Sequence, residues 1–142
     1  MNQHVILRTH GVRFGFALLL AAAIVAQATA QAWHTPAAGS AEREKIMNAL
    51  RVPIQGEAQA PVTFFKVQMR VQGPWAWVVA MAMDKAGKKY LLGKYSSQGV
   101  LQRTAHGWSV IWWGVSNRTD VVTAARKLAP AAPRGIFFNP PR

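Results

Sequence analysis

Val71-Gln72-Gly73-Pro74-Trp75-Ala76-Trp77-Val78-Val79-Ala80-Met81-Ala82-Met83 is a Gly-Pro turn followed by nine consecutive apolar residues. Side chains alternate across a strand. Trp75, Trp77, Val79, Met81 and Met83 therefore share one face, and Ala76, Val78, Ala80 and Ala82 share the other. A strand apolar on both faces belongs in the middle of a sheet, with a covering layer on each side or a partner on one. The small face admits a helix at close range, and the large face supplies bulk. The expected fold is α+β: an N-terminal helix packed on a curved antiparallel sheet of four to five strands, with a short C-terminal helix.

The flanking segments read as more strands. Pro61 opens one in which Phe65, Val67, Met69 and Val71 alternate with Phe64, Lys66, Gln68 and Arg70, so one face is apolar and the other mostly wet. Downstream, Asp84 to Lys89 is a basic hairpin loop with Gly87 available for a positive φ. Tyr90-Leu91-Leu92 and Lys94-Tyr95 continue as strand, interrupted by a bulge at Gly93. Ser96 to Gly99 reads as turn, Val100 to Thr104 as the next strand, and Ala105-His106-Gly107 as a tight turn. Trp108 to Val115 closes the sheet, with Trp108, Val110 and Trp112 on one face and Ile111, Trp113 and Val115 on the other.

Helices are expected at both ends of this block. Ser40 can cap the first, Glu42 and Glu44 suit its positive end, and Ile46, Met47 and Leu50 form its apolar stripe. Pro53 and Gly56 should stop or bend it after about three turns. Thr119 or Asp120 caps the closing helix through Val121, Val122, Ala125 and Leu128, which Pro130 and Pro133 prevent from extending. Phe137 and Phe138 are expected to dock on the sheet or on a partner.

Residues 1–30 have the three-part layout of a secretory signal peptide: Arg8 and Arg13, the uncharged apolar run Phe14 to Ala26, then Ala28-Thr29-Ala30. Ala30-Gln31-Ala32 offers a second cleavage site. The apolar run is shorter than the ~20 residues of a bilayer span, so an uncleaved anchor is the lesser alternative. The expected organisation is leader 1–30, flexible lead-in 31–39 and one α+β domain over 40–142. With no cysteine, disulfides and lipidation through cysteine are excluded. Export without disulfides suits a periplasmic or secreted bacterial protein.

The chain carries 17 Lys plus Arg against 5 Asp plus Glu, a net +12. Removing Arg8 and Arg13 with the leader leaves +10. Such an excess attracts polyanions. Outside the cytosol these are lipid head groups, lipopolysaccharide phosphates, acidic wall polymers and acidic proteins, and nucleic acid is not an expected partner there. A proteome of generally high pI would give the same composition with no partner implied.

Reactive groups are scarce. Past the leader only His34 and His106 are available for a metal, alongside five carboxylates, four of them already assigned to a first helical turn, a loop or a cap. No Gly-x-Ser-x-Gly setting or Gly-rich phosphate loop occurs. No cofactor, metal or catalytic residue is expected. Core packing accounts for most of the six tryptophans, and core or rim packing for Tyr90 and Tyr95. The alternative is an aromatic platform among Lys66, Arg70, Lys88 and Lys89. Trp112 and Trp113 cannot share a face, so at least one should face away from the main core and line a groove or a homodimer surface. These six residues are the candidate binding set.

A helix followed by a curved antiparallel sheet resembles the cystatin-like and NTF2-like cone folds. Enzymes of that group place an Asp, His or Tyr inside the cone, where this chain has Trp, Met, Val and Ala. Several segments resemble small exported proteobacterial proteins of uncharacterised function: Arg43 to Arg51, Met69 to Ala80 around Gly73 and Trp75-Ala76-Trp77, Gly107-Trp108 to Trp113, Thr119-Asp120-Val121, and Pro133 to Phe138. Pro74 departs from the polar turn residue of that pattern. The resemblance implies no catalytic residues. The expected function is therefore a non-enzymatic, exported binding protein with a basic surface for an acidic partner or envelope polyanion. A cone-fold carrier or enzyme with an apolar pocket between helix and sheet is the alternative, and a subunit dimerising through the sheet and the Phe137-Phe138 tail is a third reading.

Overall fold

A computed structural model describes residues 31–116 and 120–138; the leader expected over 1–30, the candidate cap Thr119 and the last four residues lie outside it. The elements run α1 (Ala41–Ala58), β1 (Thr63–Gln72), β2 (Trp75–Met83), β3 (Ser97–Thr104), β4 (Gly107–Val115) and α2 (Asp120–Leu128), followed by a 3-10 turn at Arg134–Ile136. The strands form one antiparallel sheet in the order β1-β2-β3-β4. Both faces are covered, giving three layers. The fold is α+β, as expected, with four strands.

The two faces of β2 decide which layer goes where. Ala76, Val78, Ala80 and Ala82 join Met69, Val71 and Leu101 beneath Ile46, Met47, Leu50 and Ile54 of α1. Trp75, Trp77 and Val79 join Val100 beneath Val121 and Ala125 of α2 and beneath Ala129, Ala132 and Ile136 of the tail. Small side chains thus meet the helix that approaches closely, and large ones fill the space under the irregular tail.

Helix α1 begins where expected, with Ser40 Oγ accepting from the Arg43 amide at 3.3 Å. It does not stop at Pro53 but runs 18 residues to a left-handed Gln59 (φ 51°). Proline inside a helix costs about 3 kcal/mol. Ile54 extends the apolar stripe and is fully buried, which contributes about 2 kcal/mol in the other direction. The packing of Ile54 offsets most of what Pro53 takes away.

Two bulges overturn the simple alternation. In β1 the register shifts between Phe65 and Gln68, with Lys66 at φ 51°. Phe64, not Phe65, then joins Val67, Met69 and Val71 on the α1 side. In β4, Val110 pairs with Leu101 and Trp112 with Val100, leaving Ile111 as the extra residue. Trp108, Val110 and Trp113 accordingly pack on the α1 side, and Trp112 on the α2 side. Trp112 and Trp113 do face opposite ways, but each covers a core, because this sheet has a core on both faces.

Strand β3 starts at Ser97, three residues before the expected Val100. Ser97, Gln98 and Gly99 are buried. A Cβ on Gly99 would come within 2.6 Å of Leu50 Cδ1, so glycine is what lets α1 rest directly on β3. Residues 84–96 form a loop rather than a fifth strand, with a single isolated bridge from Met83 to Tyr90. In α2 the inward stripe is Val121 and Ala125, continued by Ala129, and Leu128 is exposed.

Both ends of the described chain are tied down. Phe137 packs on Trp77 with ring centres 5.2 Å apart, and Trp77 Nε1 donates to the Phe138 carbonyl at 3.1 Å. The lead-in is held as well, since the His34 N–H and C=O both pair with Val71 at 2.8 Å. Among the described residues, no helix is long and apolar enough to cross a membrane.

Candidate anion-binding surface

Four of the arginines are engaged within this fold. Arg43 donates to the carbonyls of Pro36 and Val67. Arg51 donates to the Val62 carbonyl and lies over the Phe64 ring. Arg70 lies between Trp33, at 4.2 Å from the ring centre, and Phe138, at 4.9 Å, and donates to the Gly135 carbonyl. Arg103 pairs with Glu42 at 2.6 Å and covers Trp108. A planar guanidinium can stack and bond in its own plane at once, so these four arginines staple helix, lead-in, sheet and tail together.

The lysines are placed differently. Lys85, Lys88, Lys89 and Lys94 are all exposed on the β2–β3 loop, and Lys66 is exposed at the β1 bulge. The ion pairs described in the fold both use Glu42, with Arg103 and His34 as partners, and none involves these five lysines. Phe65 brings the bulge and the loop together, because its ring lies where a Cβ on Gly87 would be, 2.6 Å from Cζ. Gly87 has φ +66°, so a side chain there would also be strained.

Asp84 is the single acid of the loop, and its carboxylate is already occupied. Its Oδ1 accepts the amides of Lys88 at 2.9 Å and Lys89 at 3.3 Å. The Lys88 amide is the largest cause holding this carboxyl below its ordinary value of 3.8, with Lys89, Gly87 and Ala86 adding to it against an opposing desolvation. A lowered folded pKa means the bonds stabilise the loop above about 3.8 and are lost as pH falls through the lower folded value. Asp84→Asn should therefore speed exchange of the Lys88 and Lys89 amides at neutral pH. The parent should show the same loosening only on acidification below that value; equal protection in parent and variant at pH 7 would mean that Asp84 does not organise the loop.

Three other concave regions lie away from this loop. One cleft, about 800 Å³, lies between the start of α1 and the β3–β4 turn, lined by Glu42, Lys45, Asn48, Arg103, His106 and Trp108. Its carboxylate is spent on Arg103 and His34. A cleft of about 290 Å³ beside Arg70 is bounded by Trp33 and Phe138. A third, about 410 Å³, is lined by Thr123, Arg126, Lys127 and Arg134. Among the described residues, no three His, Cys, Asp or Glu side chains group as metal ligands.

Of the six candidate residues, the structure brings Lys66, Lys88 and Lys89 toward one end of the sheet. Arg70 is engaged under the tail, and Trp112 and Trp113 serve the two cores. Lys85 and Lys94 belong with the first three. Their signal in the sequence is the count of four lysines against one acid between Asp84 and Tyr95. Comparison with family models, curated proteins and solved structures finds no match to this chain.

Proposed function

We propose that this protein is a non-enzymatic, exported binding module whose lysine loop, with Lys66, engages an envelope polyanion or acidic partner. The observation that carries this reading is five exposed lysines outside every described ion pair, in a loop whose one carboxylate is already bonded to its own backbone. Those bonds also keep the loop in one shape. A fixed set of ammonium groups loses less entropy on binding than a mobile one. The net +10 of residues 31–142 adds long-range attraction to the same end.

Retention on a phosphate-bearing resin tests it. The parent should bind at low salt and elute as salt rises, because the attraction is screened within about 10 Å at 0.1 M. Changing Lys85, Lys88, Lys89 and Lys94 together to glutamine should weaken retention by roughly a hundredfold or more, at up to about 1 kcal/mol per lysine near an anionic surface. The same change at Arg126, Lys127 and Arg134 should matter far less. Retention that ignores salt, or that survives the lysine changes, would remove the basis of the reading.

A further inference from the structure

We infer that the polyanion is the surface of an anionic lipid bilayer, with Tyr90 and Tyr95 entering the headgroup region while the lysines meet its phosphates. This rests on the proposed function and names its ligand.

Three observations converge on the same loop. First, the large hydrophobic side chains left exposed among the described residues include Phe65 at 39%, Tyr90 at 37% and Tyr95 at 53%, all at this end of the sheet. A soluble polyanion would need the lysines and leave the two tyrosine rings without a role. Tyrosine, apolar in body and polar at its tip, fits the boundary between acyl chains and water.

Second, every cation of the loop is a lysine. Protein–protein contact cores favour arginine and are depleted of lysine. In this fold, Arg43, Arg51, Arg70 and Arg103 are committed to intramolecular contacts. Lysine instead lays its alkyl stem along apolar surface and keeps a hydrated head among phosphates.

Third, the presentation is built into the fold. Leu91 and Leu92 pack against the core under α1. The Leu91 amide donates to Ala82 at 3.0 Å, and the Asp84 amide to Lys89 at 2.9 Å. These anchors hold the inward part of the loop and leave Tyr90, Tyr95 and the four lysines facing solvent.

The absence of cysteine makes a local test direct. In the full chain, single cysteines placed as Ala86→Cys in the loop or Ala105→Cys in the β3–β4 turn carry one environment-sensitive fluorophore each. Vesicles of equal parts phosphatidylglycerol and phosphatidylcholine should blue-shift the label at position 86 and leave the label at position 105 unchanged. Pure phosphatidylcholine should shift neither. Because the leader is present in every sample, position along the chain is the readout, not binding alone.

Tyr90→Ser with Tyr95→Ser should lower partition into the mixed vesicles roughly tenfold, through lost apolar burial, while leaving retention on the phosphate resin unchanged. Circular dichroism of each variant establishes that these exposed changes leave the fold intact. A loop label that stays unshifted, an equal shift in the β3–β4 turn, or tyrosine variants that partition like the parent would each overturn the lipid assignment. If resin retention still depends on the lysines in that case, the ligand is a soluble polyanion or acidic protein, and only this inference falls. If it does not, the proposed function falls with it.

Discussion

Trp77→Ala should lower unfolding stability by about 3–5 kcal/mol, the usual cost of truncating a fully buried large aromatic. Trp77 is completely buried on an interior strand, with Arg70 of β1 and Val100 of β3 as its cross-strand neighbours. Within its layer it lies beside Val100, packs on Phe137 at 5.2 Å and donates through its Nε1 to the Phe138 carbonyl. Truncation therefore empties the space under the tail and removes the group that holds the tail down. Against a typical total of about 5–15 kcal/mol, the loss brings the domain close to unfolding at room temperature.

A urea titration followed by far-ultraviolet circular dichroism measures the change. Hydrogen exchange at Phe137 and Phe138 should rise even in buffer. Trp77→Phe keeps most of the apolar area but forfeits the hydrogen bond, and should cost about 1 kcal/mol beyond its repacking. A Trp77→Ala midpoint within experimental error of the parent would mean that the tail and α2 do not form the second layer.

Gly99 and Leu50 provide the second large effect, best read as a pair. Gly99→Ala places a methyl group 2.6 Å from Leu50 Cδ1. Leu50 is the flexible partner in that contact, but it is completely buried in α1, so it can move only by disturbing its neighbours. Such overpacking costs about 1–3 kcal/mol. Leu50→Ala alone leaves a cavity and should cost about 2–5 kcal/mol. In the double variant the methyl group added at position 99 occupies part of the space that Leu50 vacates. The combined cost should fall short of the sum by at least about 1 kcal/mol. Strict additivity would show that α1 and β3 are not in contact here.

Much of the site was present in the local sequence. The Asp84 to Lys89 loop, its positive-φ glycine and its charge follow from turn chemistry, and four of the five lysines lie within ten residues of one another. Arg70 was different. On an alternating strand it reads as a solvated cation, and only the return of the tail, 65 residues later in the chain, converts it to a staple between Trp33 and Phe138. Tyr90 and Tyr95 read as core or rim residues of a strand. With the segment looped and Leu91 and Leu92 taking the inward positions, the rings are left outside.

By itself the sequence determined the central strand, its two unlike apolar faces, the cap and stripe of α1, and therefore a sheet covered by helical layers. These are short-range properties: an alternation of period two and a stripe of period 3.6 can be read without knowing what lies across the gap. Tertiary structure decided the bulges in β1 and β4, the continuation of α1 through Pro53, the early start of β3 and the engagement of Arg43, Arg51, Arg70 and Arg103 within the fold. Each of those depends on a partner distant in the chain. Ile54 counters a local helix breaker by being buried between α1 and the sheet, Gly99 extends a strand because Leu50 sits above it, and one extra residue in an edge strand exchanges Phe64 for Phe65 on the face toward α1. Local preferences of a few kcal/mol yield where packing contributes as much or more, and the shape that packing takes is not encoded in any single stretch of the chain.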